Sequence, residues 1–221
     1  MRNPITWWHT RQALNALAEG DYARSRRMWE KLRKRRPDAL GIRHNIALTY
    51  IGEENYEAAE PLLLAEIEDY GEYYPRLKAL ADMYYVWGKR PQAHAHYRRA
   101  LEADDAVAEE RGFVERRLEL TADDGSFSEV LESLQALRRG NESLDAERWQ
   151  DAINAFTQAV RHDPTNIQAL NNIGTIQLNY QRDPKRAAAT FRRAISWSPL
   201  PWLKRNLAQA ERAKAQKAAA G

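Results

Sequence analysis

Few residues in this chain have the type and spacing to do bond chemistry. His94 and His96 are the closest pair among five histidines. A separation of two puts them on different faces of a helix, whereas a helical metal site needs ligands at i and i+4. The acidic pairs Asp104-Asp105 and Asp123-Asp124 fall at a helix end and in a loop, where the local sequence brings no third group to work with them. Without cysteine there is no thiolate ligand, no thiol nucleophile and no disulfide framework. A phosphate-binding glycine loop, a dinucleotide glycine turn, an HExxH helix and a nucleophile elbow are also missing from the sequence. These residues imply neither an enzyme nor a cofactor, and function is expected to reside in surfaces.

Surfaces depend on the elements that carry them, and here the elements repeat. Tyr22, Ser25, Trp29 and Leu32 recur 34 residues on as Tyr56, Ala59, Leu63 and Glu66, and again as Arg90, Ala93, Tyr97 and Ala100. Ala152, Phe156, Ala159 and Pro164 recur as Ala187, Phe191, Ala194 and Pro199 at a shift of 35, the extra residue falling near Gln181-Arg182-Asp183-Pro184. Each unit reads as a helix, a short turn and a second helix on which a small residue is followed four later by a large one. The small residue lets a neighbouring helix approach, and the large one fills the groove beyond it. Turns are marked by Gly20-Asp21-Tyr22, Glu54-Asn55-Tyr56, Gly88-Lys89-Arg90-Pro91 and Ala146-Glu147-Arg148-Trp149. Pro37, Pro164 and Pro199 are placed to end the second helix of three units.

Composition agrees with a packed globular chain: 221 residues, 43% hydrophobic, formal net charge +3. The first residues contain no apolar stretch of signal-peptide length, and nowhere do about 18 apolar residues run together. A cytoplasmic location is therefore expected. Between Ala93 and Ala152 more than one period intervenes, and residues 106–120 place Val107, Phe113, Val114 and Leu118 on one helical stripe, an inserted amphipathic helix. Thr121 to Gly125 reads as a loop. Ser126 with Glu129 has the spacing of a capping box opening a helix that carries Leu131, Leu134, Leu137 and Leu144. The helix from Trp202, with Leu203, Leu207 and Ala210 against Lys204, Arg205, Gln209 and Arg212, suits a terminal cap. The expected division is residues 1–120, a loop at 121–125, residues 126–217 and a frayed tail at 218–221, with one continuous superhelix as the rival.

The stretch Gly140, Trp149, Ala152, Phe156, Ala159, Pro164, Asn172-Ile173-Gly174, Ala187, Phe191, Ala194 and Pro199 resembles the tetratricopeptide repeat family, whose unit is a helix-turn-helix of 34 residues. The resemblance covers residues 8–105 and 126–217; Arg90 stands where an aromatic is usual and Gly71 where proline is usual. It implies an all-α, tetratricopeptide-type helical-repeat solenoid of about five units with an inserted helix and a C-terminal capping helix. In this family the first helix of each unit lines a concave groove. That assigns Trp7, Thr10, Leu14, Leu17, Gly41, His44, Leu48 and Ile51 to the groove of the first two units, and Lys78, Asp82 and Tyr85 to the third. In the last two units the lining is Leu137, Asn141, Leu144, Asn171, Thr175, Leu178 and Asn179, with Asn172 adjoining. Asn141 and Asn172 match asparagines that, in chaperone-binding members, hold a peptide backbone and its terminal carboxylate. Leu137, Trp202 and Asn206 occupy the slots of the basic partners of that clamp, which disfavours a chaperone tail. The alternative for the two asparagines is bonding between helices inside the stack.

Charge is blocky. Arg24, Arg26, Arg27, Lys31, Arg33, Lys34, Arg35 and Arg36 crowd the second helix of the first unit, while Glu53, Glu54, Glu57, Glu60, Glu66, Glu68 and Asp69 make the second unit acidic. Neighbouring helices would then attract along one wall. The leading expectation is a non-enzymatic scaffold that binds a peptide or amphipathic helix of a partner protein, or a second copy of itself, in its groove. The alternative is a membrane or polyanion contact through the basic helix 22–36, helped by Trp7 and Trp8, with nucleic acid the weaker choice for want of a recognition motif.

Overall fold

The structure, a computed structural model, describes residues 4–37 and 39–219. Two compact units divide the chain, Met1–Ala106 and Val107–Gly221. The N-terminal unit contains α1 (Pro4–Ala18), α2 (Tyr22–Arg35), α3 (Ile42–Gly52), α4 (Tyr56–Tyr70), α5 (Tyr74–Trp87) and α6 (Arg90–Glu102). The C-terminal unit opens with a short 3-10 turn at Ala108–Glu110, followed by α7 (Arg111–Leu120), α8 (Asp124–Asp145), α9 (Trp149–His162), α10 (Ile167–Asn179), α11 (Pro184–Trp197) and α12 (Pro201–Ala219). Consecutive helices pack as pairs, α1 with α2, α3 with α4, α5 with α6, α8 with α9 and α10 with α11, and α12 covers α11. This is the all-α helical-repeat fold that the period of 34 implies.

Chain reversal within each pair uses one backbone solution. Gly20, Glu54, Gly88, Glu147 and Arg182 all have φ between 53° and 82°, one left-handed residue per turn. The next helix is capped by the side chain of Asp21, Asn55 or Asp183 accepting from a backbone N–H in three of these turns. After α2, α9 and α11 the stop is proline, whereas α4 ends at Gly71, with φ 84°, and α6 at Ala103. Arg36, Asp163 and Ser198 lie outside the helical region, because each precedes a proline whose ring excludes that conformation.

The core is built from a size mismatch. Ser25, Ala59, Ala93, Ala152 and Ala187 are buried on the second helices, as are Trp29, Leu63, Tyr97, Phe156 and Phe191 four residues later. On the first helices the corresponding small residues are Ala13, Ala47, Ala81, Gly140 and Gly174, and all five are buried. A Cβ added to Gly140 would stand 2.3 Å from Cε1 of Phe156, and one added to Gly174 2.6 Å from Cε1 of Phe191. The rings therefore lie where a side chain would be. Accordingly α8 turns Ser133, Ala136, Gly140 and Ser143 inward, while Leu131 is exposed.

Several local expectations change. Asp123, not Ser126, caps α8: its Oδ1 accepts from the Ser126 N–H at 2.8 Å and its Oδ2 from the Ser126 hydroxyl at 2.9 Å. The helix therefore starts three residues early and absorbs Asp124, Gly125 and Ser126. Glu129 instead pairs with Nδ1 of His162 at 2.6 Å. The inserted helix packs against α8 and belongs to the C-terminal unit, with Phe113 and Val114 buried and Val107 exposed. Its Arg117 Nε donates to Thr165 Oγ1 at 3.1 Å. Thr165 in turn donates to Asp163 Oδ1 through both its N–H and its hydroxyl, at 2.8 and 2.6 Å. A buried polar knot thus ties α7 to the turn between α9 and α10. Residues 218 and 219, expected to fray, continue α12, and residues 220–221 lie outside the described residues.

Gly140→Ala and Gly174→Ala should each destabilise the fold by about 1–3 kcal/mol in urea titrations, overpacking outweighing the gain in helix propensity. Gly112→Ala in α7, where an added Cβ meets nothing within 4 Å, should instead stabilise by up to about 1 kcal/mol. Phe156→Ala and Phe191→Ala should each lose about 3–5 kcal/mol. Equal responses at all three glycines would show that the ring positions are misassigned.

Candidate functional site: the first-helix faces

In the C-terminal unit four amides join three helices side by side. Asn206 on α12 donates Nδ2 to Asn171 Oδ1 on α10 at 2.8 Å, Asn171 donates to Asn172 Oδ1 at 3.4 Å, and Asn172 donates to Asn141 Oδ1 on α8 at 3.2 Å. All four are partly buried. Spacing puts Leu137, Asn141 and Leu144 on one stripe of α8, and Asn171, Thr175 and Leu178 on one stripe of α10. Leu137, Leu144 and Leu178 pack against the core while keeping part of their surface exposed, as does Leu207 of α12. The amides expected to serve either a ligand or the stack are bonded within the stack, and the row extends to Asn206, which stands in a slot of the missing clamp cations. Bonding does not use them up. A primary amide has two N–H donors and two acceptor lone pairs, so each keeps capacity toward an extended main chain. Asn179 is exposed at the end of α10.

In the N-terminal unit the corresponding faces are less uniform. Leu14 is 47% exposed, and Thr10, Leu17, Gly41, Leu48 and Ile51 are half-buried. Trp7 is exposed, with the Arg11 guanidinium 5.4 Å from its ring centroid. Lys78 and Asp82 pair on α5 at 2.9 Å, and the other Asp82 oxygen accepts from the Tyr97 hydroxyl at 2.6 Å. Tyr85 must be removed from the groove: it is 1% exposed, with its ring edge-on to Tyr97 at 6.0 Å. The reason is its position one turn after Ala81, on the stripe of α5 that meets Tyr97 of α6. His44 is largely desolvated, and burial pushes its pKa down, with Glu66 partly offsetting and Arg76 adding to the effect.

Glu66 is the residue whose position the repeat made visible and whose environment it did not. It takes the slot filled elsewhere by Leu32, Ala100, Ala159 and Ala194, is 2% exposed, and its Oε1 has no hydrogen-bond partner. His96 also has a buried nitrogen, Nδ1, without a partner; its ring stacks on Tyr84 at 5.6 Å, and burial lowers its pKa. Among the described residues no cluster of His, Asp or Glu could hold a metal ion, and no helix is long and apolar enough to cross a membrane. A cleft of about 290 Å³ between α9, α10 and α11 is lined by Val160, Leu170 and Ile173, on the opposite side of α10 from Asn171 and Asn172.

A family model described as tetratricopeptide repeat matches residues 10–75 and 137–201, more than half of the chain. No curated protein matches. Among solved structures the chain is similar to the TPR2AB-domain:pHSP90 complex of yeast Sti1, with 15% identity, TM-score 0.47 and coverage of 97% of this chain and 86% of that one. It is also similar to MamA, with 15% identity, TM-score 0.44 and coverage of 88% and 92%. A third is YrrB, described as having an unusual peptide-binding site, with 16% identity, TM-score 0.43 and coverage of 94% and 90%.

Two stability effects follow from the buried polar groups. Glu66→Leu should stabilise the N-terminal unit by about 1–3 kcal/mol, since an unsatisfied buried carboxylate oxygen is replaced by an apolar side chain of similar size. No gain in denaturation midpoint would mean that Glu66 is solvated. His44 and His96 have folded pKa values below their unfolded value near 6.5, so the unfolded chain binds protons first as pH falls. The stability they contribute above about pH 6.5 should be lost progressively on acidification through and below that value. His44→Gln with His96→Gln should flatten this part of the pH profile.

Proposed function

The chain belongs to the tetratricopeptide repeat family, and from that premise we propose that it is a non-enzymatic scaffold for protein–protein interaction, which binds an extended segment of a partner protein along its first helices. The observation that supports this reading is the row Asn206, Asn171, Asn172 and Asn141, half-buried and flanked by Leu137, Leu144 and Leu178. Spare donors and acceptors on adjacent helices can pair with a peptide main chain whatever its sequence, and the leucines offer shallow apolar contacts for alternate side chains. No basic residue takes the clamp slots at Leu137, Trp202 and Asn206, so an internal stretch of a partner suits the row better than a terminal carboxylate. In the N-terminal unit, exposed Leu14 with Leu17, Leu48 and Ile51 forms the apolar counterpart, suited to the nonpolar face of a partner helix.

Peptides selected on the full chain from a displayed random library provide the test. Asn141→Ala with Asn172→Ala should weaken the selected peptides by about tenfold, the loss of one or two main-chain hydrogen bonds. Helicity should be unchanged, because both sites are partly solvated. Selected peptides that bind the double variant as tightly as the parent would remove the amide row from the function. Leu14→Asp, at an exposed position, should leave stability within about 0.5 kcal/mol of the parent while abolishing capture of any amphipathic helix.

A further inference from the structure

Most cations of α2 do not find the acids that the sequence places on the next repeat; Arg26, which reaches Glu53, is the exception among the described residues. Arg26 makes a bidentate pair with Glu53, at 2.7 and 3.0 Å, Arg24 meets Glu19 at 3.9 Å and Arg33 meets Glu30 at 3.0 Å. Arg27, Lys31, Lys34 and Arg35 are exposed and have no acidic partner among the described residues. At 3.6 residues per turn these four and Arg24 fall within an arc of about 100° that contains no acid. That arc is turned away from Ser25, Trp29 and Leu32, which the core buries. Arg27 with Lys31, Lys31 with Lys34 and Lys31 with Arg35 stand at helical contact spacing, where like charges work against the helix.

An aromatic borders this face. Arg24 also donates to Gln12 Oε1 at 3.0 Å, so the stripe of α1 that carries Trp8 and Gln12 runs beside α2, with Glu19 just past its end. Because the two helices are antiparallel, Trp8, one turn before Gln12, flanks the turns that follow Arg24. Its indole is 50% exposed. We propose that this face, with Arg27, Lys31, Lys34 and Arg35 and the Trp8 indole at its edge, docks on an anionic phospholipid bilayer. Charge complementarity selects an anionic partner, and the shape of the face selects a bilayer. A convex helix ridge presents its cations to a plane together, and an amphipathic indole at the rim suits the headgroup layer. Single-stranded nucleic acid prefers a basic groove with aromatics interleaved as stacking platforms, and here the aromatic lies to one side. This inference is independent of the peptide-binding reading, which uses the first-helix faces.

The test is co-sedimentation of the full chain with vesicles of phosphatidylcholine alone or containing about one-third phosphatidylserine. Partition should require phosphatidylserine and should fall steeply between about 0.1 and 0.5 M salt as screening shortens. The triple variant R27E/K31E/K34E should lose about tenfold or more of that binding, with circular dichroism confirming retained helicity. The charge-preserving R27K/K31R/K34R should keep it, and Trp8→Ser should weaken it with no change in salt dependence. Equal partition to both vesicle types, binding unaffected by charge reversal, or tighter binding to a single-stranded RNA oligonucleotide at the same salt would each overturn the proposal.

Discussion

Everything in the fold depends on how closely the first helix of a pair can approach the large residue of the second. Where that residue is Phe156 or Phe191, the first helix must carry glycine, since the ring lies within 3 Å of where a Cβ would be. Opposite Trp29, Leu63 and Tyr97 alanine is enough, at Ala13, Ala47 and Ala81. Interiors are close-packed, so one side chain too many on either helix cannot be absorbed by loose neighbours. The contact recurs because each pair buries its apolar face against the next and must keep the same thickness to do so. Turn geometry follows from the same demand: one left-handed residue per turn returns the second helix at the required distance, and at Glu54, Glu147 and Arg182 that conformation is held without glycine.

Such a scaffold constrains the inward stripe of each helix and leaves the remaining faces free to vary. The first helices of the C-terminal unit carry amides, whereas those of the N-terminal unit carry leucines and a satisfied Lys78–Asp82 pair. On the second helices, α2 collects unpaired cations while α4 collects acids that mostly face water. Because the inward stripe supplies the stability, these differences cost the fold little. Glu66 is the exception, a carboxylate on the inward stripe itself.

The parts legible in the sequence are those set by size and by turn chemistry. The small-then-large pattern at Ser25/Trp29, Ala59/Leu63 and Ala152/Phe156 revealed the period, and proline two residues past α2, α9 and α11 marked their ends. What stayed hidden depends on contacts between residues far apart in the chain. Ser126 and Glu129 match a capping pattern more closely than Asp123 does, and only the pairing of Glu129 with His162 shows why that glutamate serves elsewhere. The allegiance of α7 to the C-terminal unit rests on Arg117 reaching Thr165, a long-range bond with no local signal. Helical spacing alone places Tyr85 in the groove, yet its packing against Tyr97 takes it into the core. The two asparagines were recognisable by position, whereas their linkage through Asn171 to Asn206 required the geometry of three helices.

The size constraint is tested most directly by a double-mutant cycle on Gly140 and Phe156, read by chemical denaturation. If the Phe156 ring occupies the space of the missing side chain, Gly140→Ala should be far less harmful when Phe156 is already leucine. The coupling between the two sites should then reach about 1–2 kcal/mol. Strict additivity, with Gly140→Ala equally costly beside either side chain, would contradict the account.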